Sequence, residues 1–318
     1  MKYSGIGGQA VIEGIMMMKG EDYAVAVRRP DKEIEVKKDT YQSITKKAKI
    51  LQLPFVRGVF RFADSMIIGM RSLTYSASFF EDDEDAEPGK FEQFLDRVFG
   101  EKLESAIMAA VLVVSFILAI GIFMLLPLGI ANLFKGVITS DHLMAVLEGV
   151  IRIAIFIIYI KLVSRMEDIR RTFMYHGAEH KCINCVEHGH PLTVKYVRES
   201  SKEHKRCGTS FILIVMVISI LMFMVIRVDT IWMRILSRII LVPVIAGISY
   251  EVLQCAGRSN SKFMDLVSRP GMWMQGLTTK EPDDSMIEVA IAATEAVFDW
   301  REYLTENFPG WEKQLEES

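Results

Sequence analysis

The run "AIMAAVLVVSFILAIGIFMLLPLGIA", Ala106–Ala131, holds no charged side chain. An α-helix rises about 1.5 Å per residue, so a run of this length crosses the roughly 30 Å apolar core of a bilayer with some tilt. Three further segments are read the same way. Leu143–Val163 carries Glu148 and Arg152, Phe211–Ile226 is short, and Ile231–Tyr250 carries Arg234 and Arg238. The expected fold is a mainly α membrane protein with about four transmembrane helices and a small cytoplasmic α+β body.

The composition agrees. The chain has 318 residues, 51% hydrophobic and 24% charged, with a net charge of −3 and a mean hydropathy of +0.25. Such amounts of both kinds imply segregation into apolar and charged blocks, as in a multispanning membrane protein. The near-neutral balance offers no nucleic-acid footprint, so no nucleic-acid partner is expected. The opening "MKYSGIGGQAVIEG" lacks the apolar core of a signal peptide. Four cysteines are too few and too clustered for a disulfide framework, and they fit a reducing cytosol.

Basic residues set the expected orientation. Segment 164–210 carries Arg165, Arg170, Arg171, Lys181, Lys195, Arg198, Lys202, Lys205 and Arg206, whereas the linker between the first two spans has only Lys135. The basic segment is therefore expected in the cytoplasm, and four spans place both termini there too. Residues 1–50 read as a cytoplasmic β-rich element: "YAVAVRR" and "EIEVKK" alternate around Pro30-Asp31-Lys32, a hairpin signal, and "GIGGQAVIEGIMMMKG" reads as a third strand. Residues 51–79 are apolar but carry Arg57, Arg61, Asp64 and Arg71, which suits an amphipathic interfacial helix. Residues 80–104 are an acidic linker and pre-span segment, containing "EDDEDAEPGK". The membrane domain is 105–250, including the His/Cys loop 164–210. The tail 251–318 is expected to dock an amphipathic helix, opened by a capping box of Ser285 and Glu288.

The chemistry concentrates in one loop. Five of the six histidines lie between Tyr175 and Cys207: His176, His180, His188, His190 and His204. His176 and His180 are four apart, so on a helix they share a face and their imidazoles suit zinc. Glu179 beside them completes H-x-x-E-H, the order of inverted zincin peptidases, where a carboxylate works as general base on a bound water. "EHKRCGTSF" adds His204 and Cys207 at the start of the third span. Three other readings compete. Cys182, Cys185, His204 and Cys207 spell a closed Cys3His structural site. Cys207 with His204 spells a nucleophile and its base. A polar helix whose histidines bond loop backbone needs no metal at all.

Five motifs in order carry a resemblance: "GGQAVIEGIMM", "YHGAEHK", "RCGTSF", "AGISYEVLQCAGR" and "PGMWMQGLTTKEP". The chain resembles the YqhQ-like family of bacterial multispanning membrane proteins, from about Gly5 to Pro282. That family is described as one of predicted metal-dependent enzymes, and the resemblance implies a bacterial inner-membrane location. It implies ligands His176, His180, His204 and Cys207. Cys182 and Cys185 fall outside the family pattern.

Glu13, among glycines, is expected either to reach the site or to sit in a turn. Glu251 is expected to pair with Arg258 or to serve as a distant metal ligand. Glu148 is expected to pair with Arg234 or Arg238 as glue between spans, or to line a pathway with them and Arg152. "PGMWMQGLTTKEP" is expected as a loop resting on lipid or on the spans. The leading functional expectation is a metal-dependent membrane enzyme, hydrolytic in type, working at the cytoplasmic membrane face. Its metal is zinc or another divalent ion, and its base is Glu179. The alternative is a non-catalytic scaffold or accessory factor of another membrane protein complex, with the His/Cys cluster as a structural pin. A transporter fits less well, because the chain shows no internal repeat. The expected partners are the lipid bilayer and, in the alternative, that complex.

Overall fold

The computed structural model describes residues 2–80, 103–226, 230–258 and 261–316. The acidic stretch 81–90 and Arg227 lie outside them. Four helices are long and apolar enough to cross a membrane, at Val113–Asn132, Asp141–Val163, Gly208–Val225 and Ile235–Gly257. The chain divides into two compact units, residues 81–159 and the remainder.

In the smaller unit, α2 (Leu103–Ile120) runs through a π-helical turn at Gly121–Leu125 into α3 (Leu126–Asn132). Pro127 explains the wide turn. It has no N–H to give and its ring crowds the preceding carbonyls, so the helix loosens just before it. The next helix, α4 (Asp141–Val163), binds Glu148 to Arg152 at 2.7 Å, one turn along the same helix. Phe123 packs edge-on against Phe156 and Tyr159.

The larger unit is built on an antiparallel sheet of β1 (Ile6–Val11), β2 (Gly14–Lys19), β3 (Asp22–Arg28) and β4 (Ile34–Thr40), in that spatial order. The hairpin around Pro30 is present. The stretch expected to form one strand before it forms two, with Val11 paired to Gly14 across Ile12 and Glu13. Glu13 takes a positive φ of 47° in that turn.

Helices cover both faces of the sheet. On one lies α1 (Val56–Ala77), where Ile68 joins Val11, Met16, Tyr23, Val25 and Val27. On the other lie α5 (Glu167–Glu187) and α10 (Asp284–Val297), where Tyr175, Ala178, Cys182, Met286 and Ile287 meet Ile6, Ile15, Met17 and Ala26. Successive strand residues face opposite ways. A strand covered twice therefore reads as an unbroken apolar run, which is why β2 is "GIMMMK".

Between α5 and the third apolar helix, α7 (Gly208–Val225), lies short α6 (Val194–Glu199). The fourth, α8 (Ile231–Arg258), is followed by α9 (Lys262–Thr278). Most of the expected "PGMWMQGLTTKEP" loop is thus helix, and only its end from Thr279 is extended. After α10 come α11 (Trp300–Asn307) and α12 (Lys313–Glu316). The cap of α10 is Asp283, whose side chain accepts the Met286 N–H at 3.0 Å. Ser285 donates to Asp283, and Glu288 pairs with Arg28.

Candidate metal centre

Helix α5 is polar and nevertheless buried, because it is clamped between the sheet, α10 and the loop leading to α7. Tyr175, Ala178 and Cys182 face the apolar core. His176, Glu179 and His180 occupy the adjoining face. The 31 residues from His176 to Cys207 close a loop that returns to this face. Cys207 caps α7 and its sulfur accepts the Thr209 N–H at 3.4 Å.

His176, His180 and Cys207 each present a ligand atom, and the three lie within 4.8 Å of one another. His176 Nε2 is 3.2 Å from Cys207 Sγ, and the two imidazole rings are 4.4 Å apart. Each imidazole is held through its other nitrogen. His176 Nδ1 bonds the Thr278 carbonyl at 3.0 Å, and His180 Nδ1 bonds the Lys202 carbonyl at 2.7 Å. A carbonyl accepts only, so Nδ1 carries the proton in both rings and Nε2 keeps its lone pair. Histidine ligands of metals are commonly oriented this way. Bonds of about 2.0 Å to nitrogen and 2.3 Å to sulfur in a tetrahedron put N and S about 3.5 Å apart. The observed spacing suits such an ion. The donor set therefore fits a divalent metal with three protein ligands.

His204, expected as a fourth ligand, is turned elsewhere. Its ring lies 5.8 Å from that of His180. Nδ1 accepts the Arg206 N–H at 3.4 Å, and Nε2 faces Glu187 Oε2 at 3.5 Å. Arg206 Nη2 also approaches Nε2 at 3.3 Å, so both nitrogens are engaged by this second group and His204 lies outside the cluster of His176, His180 and Cys207. Burial keeps its pKa low and the ring neutral. Glu187 sits at the centre of this second group, fully buried, accepting from Ser4 N and Oγ at 2.9 and 2.8 Å and from Arg206. Burial alone would raise its pKa, but His204, Arg206 and Ser4 more than reverse that and hold it at about 2. Positive partners and donated hydrogen bonds favour the charged form.

Glu179 is 5% exposed. One carboxylate oxygen lies 3.9 Å from His176 Nε2, and the backbone N–H of Gly8 on β1 donates to the group. Burial raises its pKa, opposed by His176 and by the Gly8 N–H. Only glycine fits at that strand position. A Cβ there would stand 2.8 Å from Glu179 Cγ and 2.5 Å from Met17 Sδ. Gly177 admits the strap after α9 in the same way, since a Cβ would meet the Lys280 carbonyl oxygen at 2.0 Å.

The Cys3His arrangement does not form. Cys182 lies in the core, its thiol pushed well up by burial. Cys185 points at the carbonyls of His190 and Pro191, and burial pushes it up to about 12. Glu13 stays away from the histidines and holds Arg171 and Tyr175 of α5. Glu251 bonds Arg57 of α1 at 2.7 and 2.6 Å, while the side chain of Arg258 is outside the described residues. Gly8, Gly177, Glu187 and Gln275 are site-building residues that sequence spacing did not single out. Gln275 clamps both backbone groups of His204, at 2.8 and 2.7 Å, and donates to Ser210 of α7. Glycines in "GGQAVIEG" and "YHGAEHK" were the visible signal for two of them.

The family described as "Protein of unknown function (DUF1385)" matches residues 53–300. The chain belongs to this family. It is 34% identical over 286 residues to "Uncharacterized protein YqhQ" of Bacillus subtilis (strain 168), covering 90% of this chain and 89% of that relative. No solved structure matches the chain. The DUF1385 match includes α5, Cys207 and Gln275 and stops short of β1, which supplies Gly8.

Proposed function

We propose that this DUF1385 protein is a metal-dependent membrane enzyme of the bacterial inner membrane, hydrolytic in type, with its centre at the cytoplasmic face. The observation that carries the reading is the double anchoring of His176 and His180 through Nδ1, which leaves both Nε2 atoms for one ion beside Cys207 Sγ. Two imidazoles and one sulfur favour zinc over the hard cations, which take oxygen ligands. Zinc with three protein ligands supplies a Lewis acid and an acidified water at its fourth position. Glu179 is the neighbouring carboxylate able to take a proton there, and burial raises its pKa.

A second reading is favoured by enclosure. Glu179, His180 and Cys207 are all 6% exposed or less, and with His176 the bonds of the cluster join α5, α7, the Lys202 loop and the end of α9 at Thr278. That is also what a structural pin in an accessory factor of another membrane complex needs. Cobalt substitution separates the two. With cobalt bound, both readings expect a sulfur-to-cobalt charge-transfer band that Cys207→Ser removes. An enzyme adds a visible spectrum that changes with pH as the fourth-position water ionises, and a pin has a pH-independent spectrum. Purified protein with no divalent metal and no cobalt uptake overturns the enzyme and leaves a pin held by its own hydrogen bonds.

A further inference from the structure

In a water-soluble fold the apolar face of a helix turns inward. Helices α1 and α9 do the reverse. The buried face of α1 consists of Gly58, Asp64, Ile68, Gly69, Ser72 and Ser76, mostly small or polar. Its outward face carries Phe62, Met66, Met70 and Leu73. The buried face of α9 has Ser268, Gly271, Met274, Gln275 and Thr278, and its outward face has Phe263, Leu266 and Trp273. These outward side chains are between 40% and 68% exposed. Helix α7 is apolar on both sides, burying Ser210 and Ser219 beside Leu213 and Met216 and turning Ile212, Val217 and Leu221 outward. Small residues inside and large apolar ones outside is the pattern of helices packed in lipid.

Both helices also meet α7 at its first turn, where its apolar run begins. The Phe62 ring lies 5.6 Å from that of Phe211. Gly271 lets α9 approach Ser210 so closely that a Cβ would come within 2.6 Å of its Oγ. Exposed Arg61 on α1 and exposed Lys262 and Arg269 on α9 accompany the apolar faces. Long basic side chains of that kind extend from apolar surface to headgroups.

We propose that α1 and α9 lie in the membrane interface, their outward faces against acyl chains on either side of the start of α7. The occupant of these faces is the lipid bilayer, because they continue the apolar surface of a span and belong to helices of inverted polarity. One layer covering the sheet is then itself a membrane surface, and the sheet rests on the bilayer through α1.

Nitroxide labels at Met66→Cys and Leu266→Cys test this in full-length protein in phospholipid nanodiscs, on a Cys255→Ser background. Lys38→Cys on exposed β4 is the aqueous reference and Val217→Cys on α7 the lipid reference. The expected result is a ratio of oxygen to nickel-chelate collision rates well above that at position 38, approaching that at 217. A ratio equal to that at position 38 overturns the proposal. So does an immobilised label shielded from both reagents, which would mean that protein covers these faces.

Discussion

Gly177→Ala tests whether the strap after α9 builds the candidate metal centre. The new Cβ would stand 2.0 Å from the Lys280 carbonyl oxygen and 3.2 Å from its carbon. That carbonyl cannot swing aside freely, because Lys280 N donates to Phe173 O at 2.9 Å on the same helix. Forcing a methyl into a packed contact costs about 1–3 kcal/mol. Lifting the strap also breaks the Lys280–Phe173 bond and the His176–Thr278 bond, each about 0.5–1.5 kcal/mol. Alanine returns about 1 kcal/mol through helix propensity. The net expectation is a loss of about 1–5 kcal/mol, with weaker metal binding because His176 loses its anchor. Gly276→Ala is the control, since its Cβ would meet nothing within 4 Å on the exposed side of α9, and it should be neutral or slightly stabilising. Thermal unfolding in detergent, with cobalt titration of both variants, reads both quantities. A Gly177→Ala protein as stable as wild type, with unchanged cobalt affinity, refutes the reasoning.

Metal analysis should show loss of the ion in His176→Ala and Cys207→Ser, and retention in Cys182→Ala and Cys185→Ala; loss from either core cysteine variant would revive the Cys3His site. His204→Asn should keep the metal but lower the melting temperature, since it disturbs the Glu187 group and donates nothing to the ion. Glu187 has a folded pKa of about 2, below its unfolded value near 4.3, so its contribution is complete above that value and fades as the pH falls toward 2. The melting-temperature gap between wild type and Glu187→Gln should therefore narrow from pH 6 to pH 3, and a constant gap would contradict the assignment. Asp64→Asn should cost about 1–3 kcal/mol, because the buried carboxylate accepts from Tyr41, Ser43 and Ile44; an unchanged denaturation midpoint would show that the loop after β4 does not depend on it.

The spans were legible because an uncharged run of the length of Ala106–Ala131 has few other uses. The β3–β4 hairpin was legible from its turn residues Pro30-Asp31-Lys32 between two alternating runs, although β4 itself is exposed along nearly its whole length. The boundary between β1 and β2 was not, since alternation vanishes in a strand covered on both faces, and only the tertiary arrangement supplies the second cover. Pro270 and Gly271 read as loop residues, but Pro270 lies within α9 and Gly271 is there for its close approach to Ser210. Spacing to Glu288 made Ser285 the expected cap of the tail helix. Glu288 is instead drawn to Arg28, leaving Asp283 to cap. His176, His180 and Cys207 were found as a group because helical spacing fixes two and the entry to a span fixes the third. His204 was misplaced because its partner Glu187 lies at the far end of α5, seventeen residues before it in the chain and adjacent only once the loop closes.

The placement of Glu179 bears on which of the two proposed functions the centre serves. A carboxylate needed only for structure is most economically paired with a cation, as Glu187 is with Arg206 and Glu251 with Arg57. Among the described residues, neither lysine nor arginine pairs with Glu179. Its neighbours are a neutral backbone donor and an imidazole, and burial raises its pKa while that of Glu187 is held down. Keeping such a group beside two metal-oriented histidines costs desolvation that the nearby ion pairs avoid. A pin gains nothing from that cost, because glutamine would fill the same space and accept the same Gly8 N–H. An enzyme gains a proton acceptor that glutamine cannot replace. Glu179→Gln should accordingly preserve fold, metal content and the sulfur-to-cobalt band while abolishing turnover. A natural relative with glutamine at this position and full activity would remove the argument for catalysis.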